Sequence, residues 1–212
     1  MRASFIFAIV SWTILFGFTQ ASLGNVPDCA SSDPGHVCLA LKWVSYLDSR
    51  GAPTITESTA RATLEGVNKL WSQCKLSFSV SSFELVRAED QGLQYSLKNM
   101  SELEKVRAQF SEGNALLVVV SGPWDRSGTL RSANAWTILP GALQSGAIIE
   151  KTVGENVNLV AHELGHYLNL THLTEPTGLM SPVVYSRSTA LSSGECDRAR
   201  AAAVNFWSRA TR

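Results

Sequence analysis

The chain has 212 residues, of which 45% are hydrophobic, and its 18 basic and 18 acidic side chains cancel to a net charge of zero. That length suits one domain with a sizeable core, and the absence of any Lys/Arg-rich run excludes the electrostatic footprint of a nucleic-acid or anionic-membrane binder. The expected partner is a peptide or another neutral surface.

At the N-terminus, Met1 and Arg2 precede an apolar run at 5–18 that ends in Thr19-Gln20-Ala21. A short apolar stretch closed by small residues is the pattern of a secretory signal peptide, with cleavage expected after Ala21. The run is shorter than the roughly 20 residues a bilayer-spanning helix needs. The expected organisation is therefore a signal at 1–21 and one domain at 22–212, without a stable membrane anchor after cleavage. The expected location is extracellular, or periplasmic in a Gram-negative bacterium. All four cysteines, Cys29, Cys38, Cys74 and Cys196, lie beyond the signal, as expected for two disulfides among three possible pairings in an exported chain. We favour Cys29–Cys38, closing a small loop with Pro34 and Gly35, and Cys74–Cys196, tying distant segments.

Residues 37–47 read as a strand followed by the turn sequence SRGAPT. Ala60, Leu64, Val67, Trp71 and Cys74 then recur at spacings of 4, 3, 4 and 3, one apolar helical face. Thr54 and Thr56 are its candidate N-caps, with Glu57 placed to complete a capping box on Thr54. Residues 75–86 alternate as a half-buried strand, and 101–110 form a short polar helix entered by Ser101. The continuous apolar run at 115–122 suits a strand covered on both faces. Weaker strands are expected at 133–139 and 146–150. Strands interleaved with helices indicate an α/β or α+β domain.

Three of the chain's four histidines share the 11 residues 162–172. His162 and His166 bracket Glu163 in the pattern H-E-x-x-H, and at about 100° per residue the two imidazoles leave one helical face a turn apart. Val157, Val160, Ala161, Leu164 and Leu168 fall on the opposite side, so the helix has an apolar back and a ligand front. Glu163 flanks that front, placed to reach a metal-bound water without itself being a ligand. His172 would lie too far round a continuing helix. Asn169 is the residue suited to end it, because Asn enters the left-handed conformation more readily than most. With a turn there, His172 swings back as a third ligand, and three neutral imidazoles with an open fourth position make a catalytic rather than structural zinc pattern. His36, beside Gly35, reads as a solvent-facing loop residue.

These residues carry a specific resemblance. H162-E-L-G-H166-Y-L-N-L-T-H172 is similar to the extended zinc motif H-E-x-x-H-x-x-G-x-x-H of the metzincin metallopeptidases, with Asn169 in place of the usual glycine. Met180, eight residues after His172 and followed by Pro182, resembles the family's Met-turn as matrix metalloproteinases space it. The resemblance implies an α+β zincin catalytic domain: a twisted mixed sheet, a long backing helix, the active-site helix and a C-terminal helix supplied by 192–208, with the subdomains meeting at about residue 169. Tyrosine is absent two residues after Met180, and no cysteine-switch propeptide precedes the domain, so neither feature is carried over.

The activity implied is that of a zinc-dependent endopeptidase holding one Zn²⁺ on His162, His166 and His172. Zinc-bound water would attack the scissile carbonyl with Glu163 as general base. The resemblance also implies substrate extended along an edge strand, for which 133–139 is the candidate, with 182–185 as a pocket wall. Two alternatives remain: a thermolysin-like (gluzincin) site with Glu195 as third ligand, and a non-catalytic secreted zinc-binding or interaction domain. Asn99 and Asn169 both begin glycosylation acceptor sequences, and Asn99 is the better candidate because a glycan on Asn169 would crowd the turn.

Overall fold

The computed structural model describes residues 29, 33, 35–141 and 144–212. The expected signal segment, 1–21, lies outside them. Strands β1 (Val37–Tyr46), β2 (Leu76–Val86), β3 (Leu116–Ser121), β4 (Ala135–Thr137) and β5 (Ala147–Glu150) form one sheet in the order β2-β1-β3-β5-β4. Every pairing is parallel except that of β4, which runs antiparallel to β5 along the sheet edge. Among the described residues, four α-helices, α1 (Glu57–Trp71), α2 (Met100–Phe110), α3 (Val157–Tyr167) and α4 (Ser193–Trp207), complete this α+β architecture. Among the described residues, no helix is long and apolar enough to cross a membrane.

The period-2 geometry of strands explains the two cores. Leu116, Val118 and Val120 of β3 point to one face, where they join Leu39, Leu41 and Trp43 of β1 and the apolar sides of α1, α3 and α4. Leu117 and Val119 point to the other, where Leu103, Val106 and Phe110 of α2 cover them with Val44, Tyr46 and Ile148. All of β3 is buried. That is why its sequence is a continuous apolar run rather than an alternating one.

Both favoured disulfides are present, Cys29–Cys38 and Cys74–Cys196. The second clamps α4 to the end of α1, where a 3₁₀ turn carries the chain to Cys74 and the five residues of the expected apolar face are all buried.

The helix starts differ in detail from expectation. Thr56 is the N-cap of α1, its hydroxyl accepting from Thr59 N. Thr54 lies too early, and its hydroxyl donates instead to Val120 O at 2.7 Å. Glu57 pairs with Arg61 one turn on rather than reaching back to a cap. Helix α2 is entered by Asn99, not Ser101: the Asn99 carbonyl oxygen accepts from Glu102 N and its amide donates to Glu102 Oε1. Asn outranks the helix-interior serine because its side chain reaches the orphan N–H from an extended backbone. Nor is His36 free in solvent. It is half-buried, with Nε2 2.7 Å from Ser77 Oγ.

Candidate metal centre and its cleft

Helix α3 begins at the N-cap Asn156, whose side chain accepts from Leu159 N. Its apolar back packs against α1, and Trp71 of that helix donates its indole N–H to Ala161 O at 3.2 Å. The helix stops after Tyr167 because Asn169 adopts φ 61°, in the left-handed region. Asn169 N then donates to His166 O and Leu170 N to Gly165 O, both at 3.0 Å. This crossed pair of bonds is the Schellman motif, which satisfies two of the helix's orphan carbonyls. Asparagine thus serves where glycine is more usual, because a non-β-branched polar side chain tolerates the left-handed basin.

The turn reverses the chain and brings His172 over the helix. Its Nε2 lies 3.3 Å from His162 Nε2 and 3.2 Å from His166 Nε2. Among the described residues these three form the group whose donor atoms could hold a metal ion. The two helical rings are oriented from behind. His162 Nδ1 lies 2.8 Å from Leu179 O, and His166 Nδ1 2.8 Å from Leu170 O. A carbonyl can only accept, so each neutral ring carries its proton on Nδ1 and turns an unprotonated Nε2 toward the common point. The same turn that repositions His172 therefore also supplies Leu170 O, the acceptor that fixes the His166 tautomer.

Burial reinforces this state. Desolvation pushes His162 down to about 4, with the neighbouring His166 and His172 also disfavouring its charge and the Leu179 carbonyl opposing the shift. His166 is lowered by the same principal cause. Both rings are thus neutral near pH 7, as metal ligation requires. The donor set passes a geometric test as well. Tetrahedral zinc with Zn–N of about 2.0–2.1 Å places its ligand nitrogens about 3.3 Å apart, and two of the three separations here have that value.

Glu163 stands between the histidines in sequence but beside them in space, 5% exposed at the wall of the cleft. Thr137 Oγ1 donates to its Oε2 at 2.6 Å. Desolvation raises the carboxyl to about 7, while the Thr137 bond and the Arg107 charge pull it partly back. Met180 is fully buried below α3, against Gly165. Glu195 is not part of the cluster. It closes the capping box of α4, its Oε2 accepting from Ser192 N at 2.8 Å and Ser192 Oγ at 2.6 Å.

The centre opens into a cleft of about 610 Å³. It is lined by the stretch around β4, including Trp136, Thr137 and Leu139, and by Pro182, Val183 and Val184. Both stretches singled out in the sequence therefore face the histidines, and β4 is an edge strand. Three contributors were missed. Thr137 was not recognised because only the sheet pairing brings it to Glu163, 26 residues away. Arg107, fully buried, donates from Nε to Gly146 O and from Nη2 to Trp136 O, each at 2.9 Å, holding the base of β4. Arg126 binds the buried Glu150 and the Leu130 and Ala133 carbonyls, shaping the loop that leads into β4.

No protein-family model matches this sequence, and no curated protein does either. Its structure, however, is similar to that of metalloproteinase-II from Bacteroides fragilis, at TM-score 0.53 and 16% identity, over 77% of this chain and 53% of that one. It is equally similar to archaemetzincin from Methanopyrus kandleri, at TM-score 0.53 and 14% identity, over 81% of this chain and 97% of that one. The fold is metzincin-like. The chain spans about half the length of the Bacteroides protein but nearly all of archaemetzincin. At such low identity the likeness concerns architecture, and the chemistry rests on the residues of the cleft itself.

Proposed function

We propose that this chain is a secreted zinc-dependent endopeptidase of the metzincin type, with His162, His166 and His172 as ligands of one Zn²⁺ and Glu163 as general base. The observation that carries the reading is the convergence of the three Nε2 atoms at separations of 3.2 and 3.3 Å, two of them oriented by backbone carbonyls. When bound, zinc supplies Lewis acidity that polarises a scissile carbonyl and makes water a nucleophile near neutral pH.

The protein's own groups do the rest. Glu163 accepts the proton of the attacking water and passes it to the leaving amine, a role for which a carboxyl held near pH 7 is well matched. Substrate lies extended against β4, adding a strand to the sheet edge, while the 182–185 segment forms the opposite wall. Met180 supports the floor beneath the helix, and Asn169 makes the turn that delivers His172. The cysteine pairs suit an oxidising compartment, in keeping with export and removal of residues 1–21. The thermolysin-like alternative loses its donor to the α4 cap, where Glu195 is engaged.

The test combines metal analysis with cleavage profiling on a proteome-derived peptide library, for wild type and Glu163→Ala. One zinc per chain in both, with cleavage by wild type alone, is the expected result. Bound zinc without cleavage by wild type would favour a non-catalytic binding domain.

A further inference from the structure

Thr137 sits on an edge strand of three residues, half-buried, with its hydroxyl 2.6 Å from Glu163 Oε2. Strand alternation puts Thr137 on the same face as Ala135, which packs into the core shared with α3, while Trp136 points the other way and is 41% exposed. The strand is short for its task. What secures it is Arg107, whose buried guanidinium grips Trp136 O, immediately before Thr137, and Gly146 O, immediately before β5. Burying a guanidinium without a bonded carboxylate is costly, and Arg107 Nη1 has no partner among the described residues. A site that tolerates such a group gains something from the backbone it holds.

We propose that Thr137 is a positioning residue: its hydroxyl, held in place by the Arg107 clamp on β4, fixes the Glu163 carboxylate with Oε2 engaged and leaves Oε1 to accept the proton in catalysis. A glutamate has three side-chain torsions, and one hydrogen bond to an anion at this distance selects among them. Because β4 is also the strand against which substrate is placed, the element that receives the peptide orients the base that acts on it. This inference rests on the zinc-peptidase reading for its catalytic consequence and on the structure alone for the pairing.

The experiment has two parts. In metal-free protein at pH 8, urea unfolding of wild type, Thr137→Val, Glu163→Ala and the double variant forms a double-mutant cycle. A coupling of roughly tenfold or more in the unfolding constant is expected for a hydrogen bond to a charged group; additive effects would overturn the pairing. In zinc-loaded protein, Thr137→Val should lower kcat about tenfold with KM within about twofold and zinc content unchanged, and Thr137→Ser should restore kcat. A raised KM with kcat intact, or no rescue by serine, would show that Thr137 only shapes the groove. Should zinc-loaded wild type cleave nothing, the peptidase reading fails, while the metal-free cycle still decides whether Thr137 holds Glu163.

Discussion

Gly165 of α3 lies directly on Met180: a Cβ built at Gly165 would overlap Met180 Sδ and stand 3.1 Å from Cε. Glycine weakens a helix interior by about 1 kcal/mol relative to alanine, so its presence here reflects contact rather than propensity. Gly165→Ala is expected to destabilise by about 1–3 kcal/mol as an overpacked core does, despite the propensity gain. Adding Met180→Ala should recover part of that loss. Urea midpoints for the two single variants and the double variant check the coupling, and simple additivity would refute the contact.

At Asn169 the backbone itself is tested. With φ at 61°, Asn169→Val should cost about 1–2 kcal/mol, because a β-branched side chain clashes in the left-handed basin, whereas Asn169→Gly should be neutral or slightly stabilising. Zinc affinity should follow the same order, since the turn supplies both the His166 acceptor and the path to His172. Competition with a fluorescent chelator measures it.

Removing His172 discriminates between ligand sets. His172→Ala should lower zinc affinity by at least about 100-fold, a full ligand counting for more than the roughly 10–100-fold attributed to outer-shell partners. The same chelator titration would sink the three-histidine assignment if affinity stayed near that of wild type.

The buried carboxyl makes a pH-dependent signature in metal-free protein. Folding raises Glu163 from 4.5 to about 7, so the native state binds that proton more tightly and is penalised once the group ionises. Glu163→Gln should therefore be more stable than wild type above pH 7, by up to about 3 kcal/mol. The advantage should shrink as pH falls from 7 to 4.5 and vanish below. His162 acts with the opposite sign, costing native stability as pH falls from 6.5 to about 4, but equally in both proteins. Chemical denaturation in EDTA across this range gives the difference directly; a pH-independent gap would refute the shift.

Much of the centre was legible in the chain because its logic is local. A four-residue offset places two rings on one helical face whatever surrounds the helix, and Asn169 foretold the reversal because few residues enter the left-handed basin at low cost. The α1 face was legible for the same reason, as a 3.6-residue period survives any packing arrangement. Caps were less so: Thr54, Thr56, Asn99 and Ser101 are all competent by type, and which one caps depends on where the chain leaves the preceding strand or loop.

Residue identity and spacing alone determined the shared face of His162 and His166, the apolar helix back and the two-faced burial of β3, since each follows from the fixed geometry of one element. Only the tertiary structure decided that β4 ends up beside β5, that Thr137 meets Glu163, that Arg107 reaches under the edge strand, and that Leu179 O orients His162. Those relations join residues on different elements, and nothing in a local period records which strand will close the sheet. The choice belongs to the packing of both cores at once.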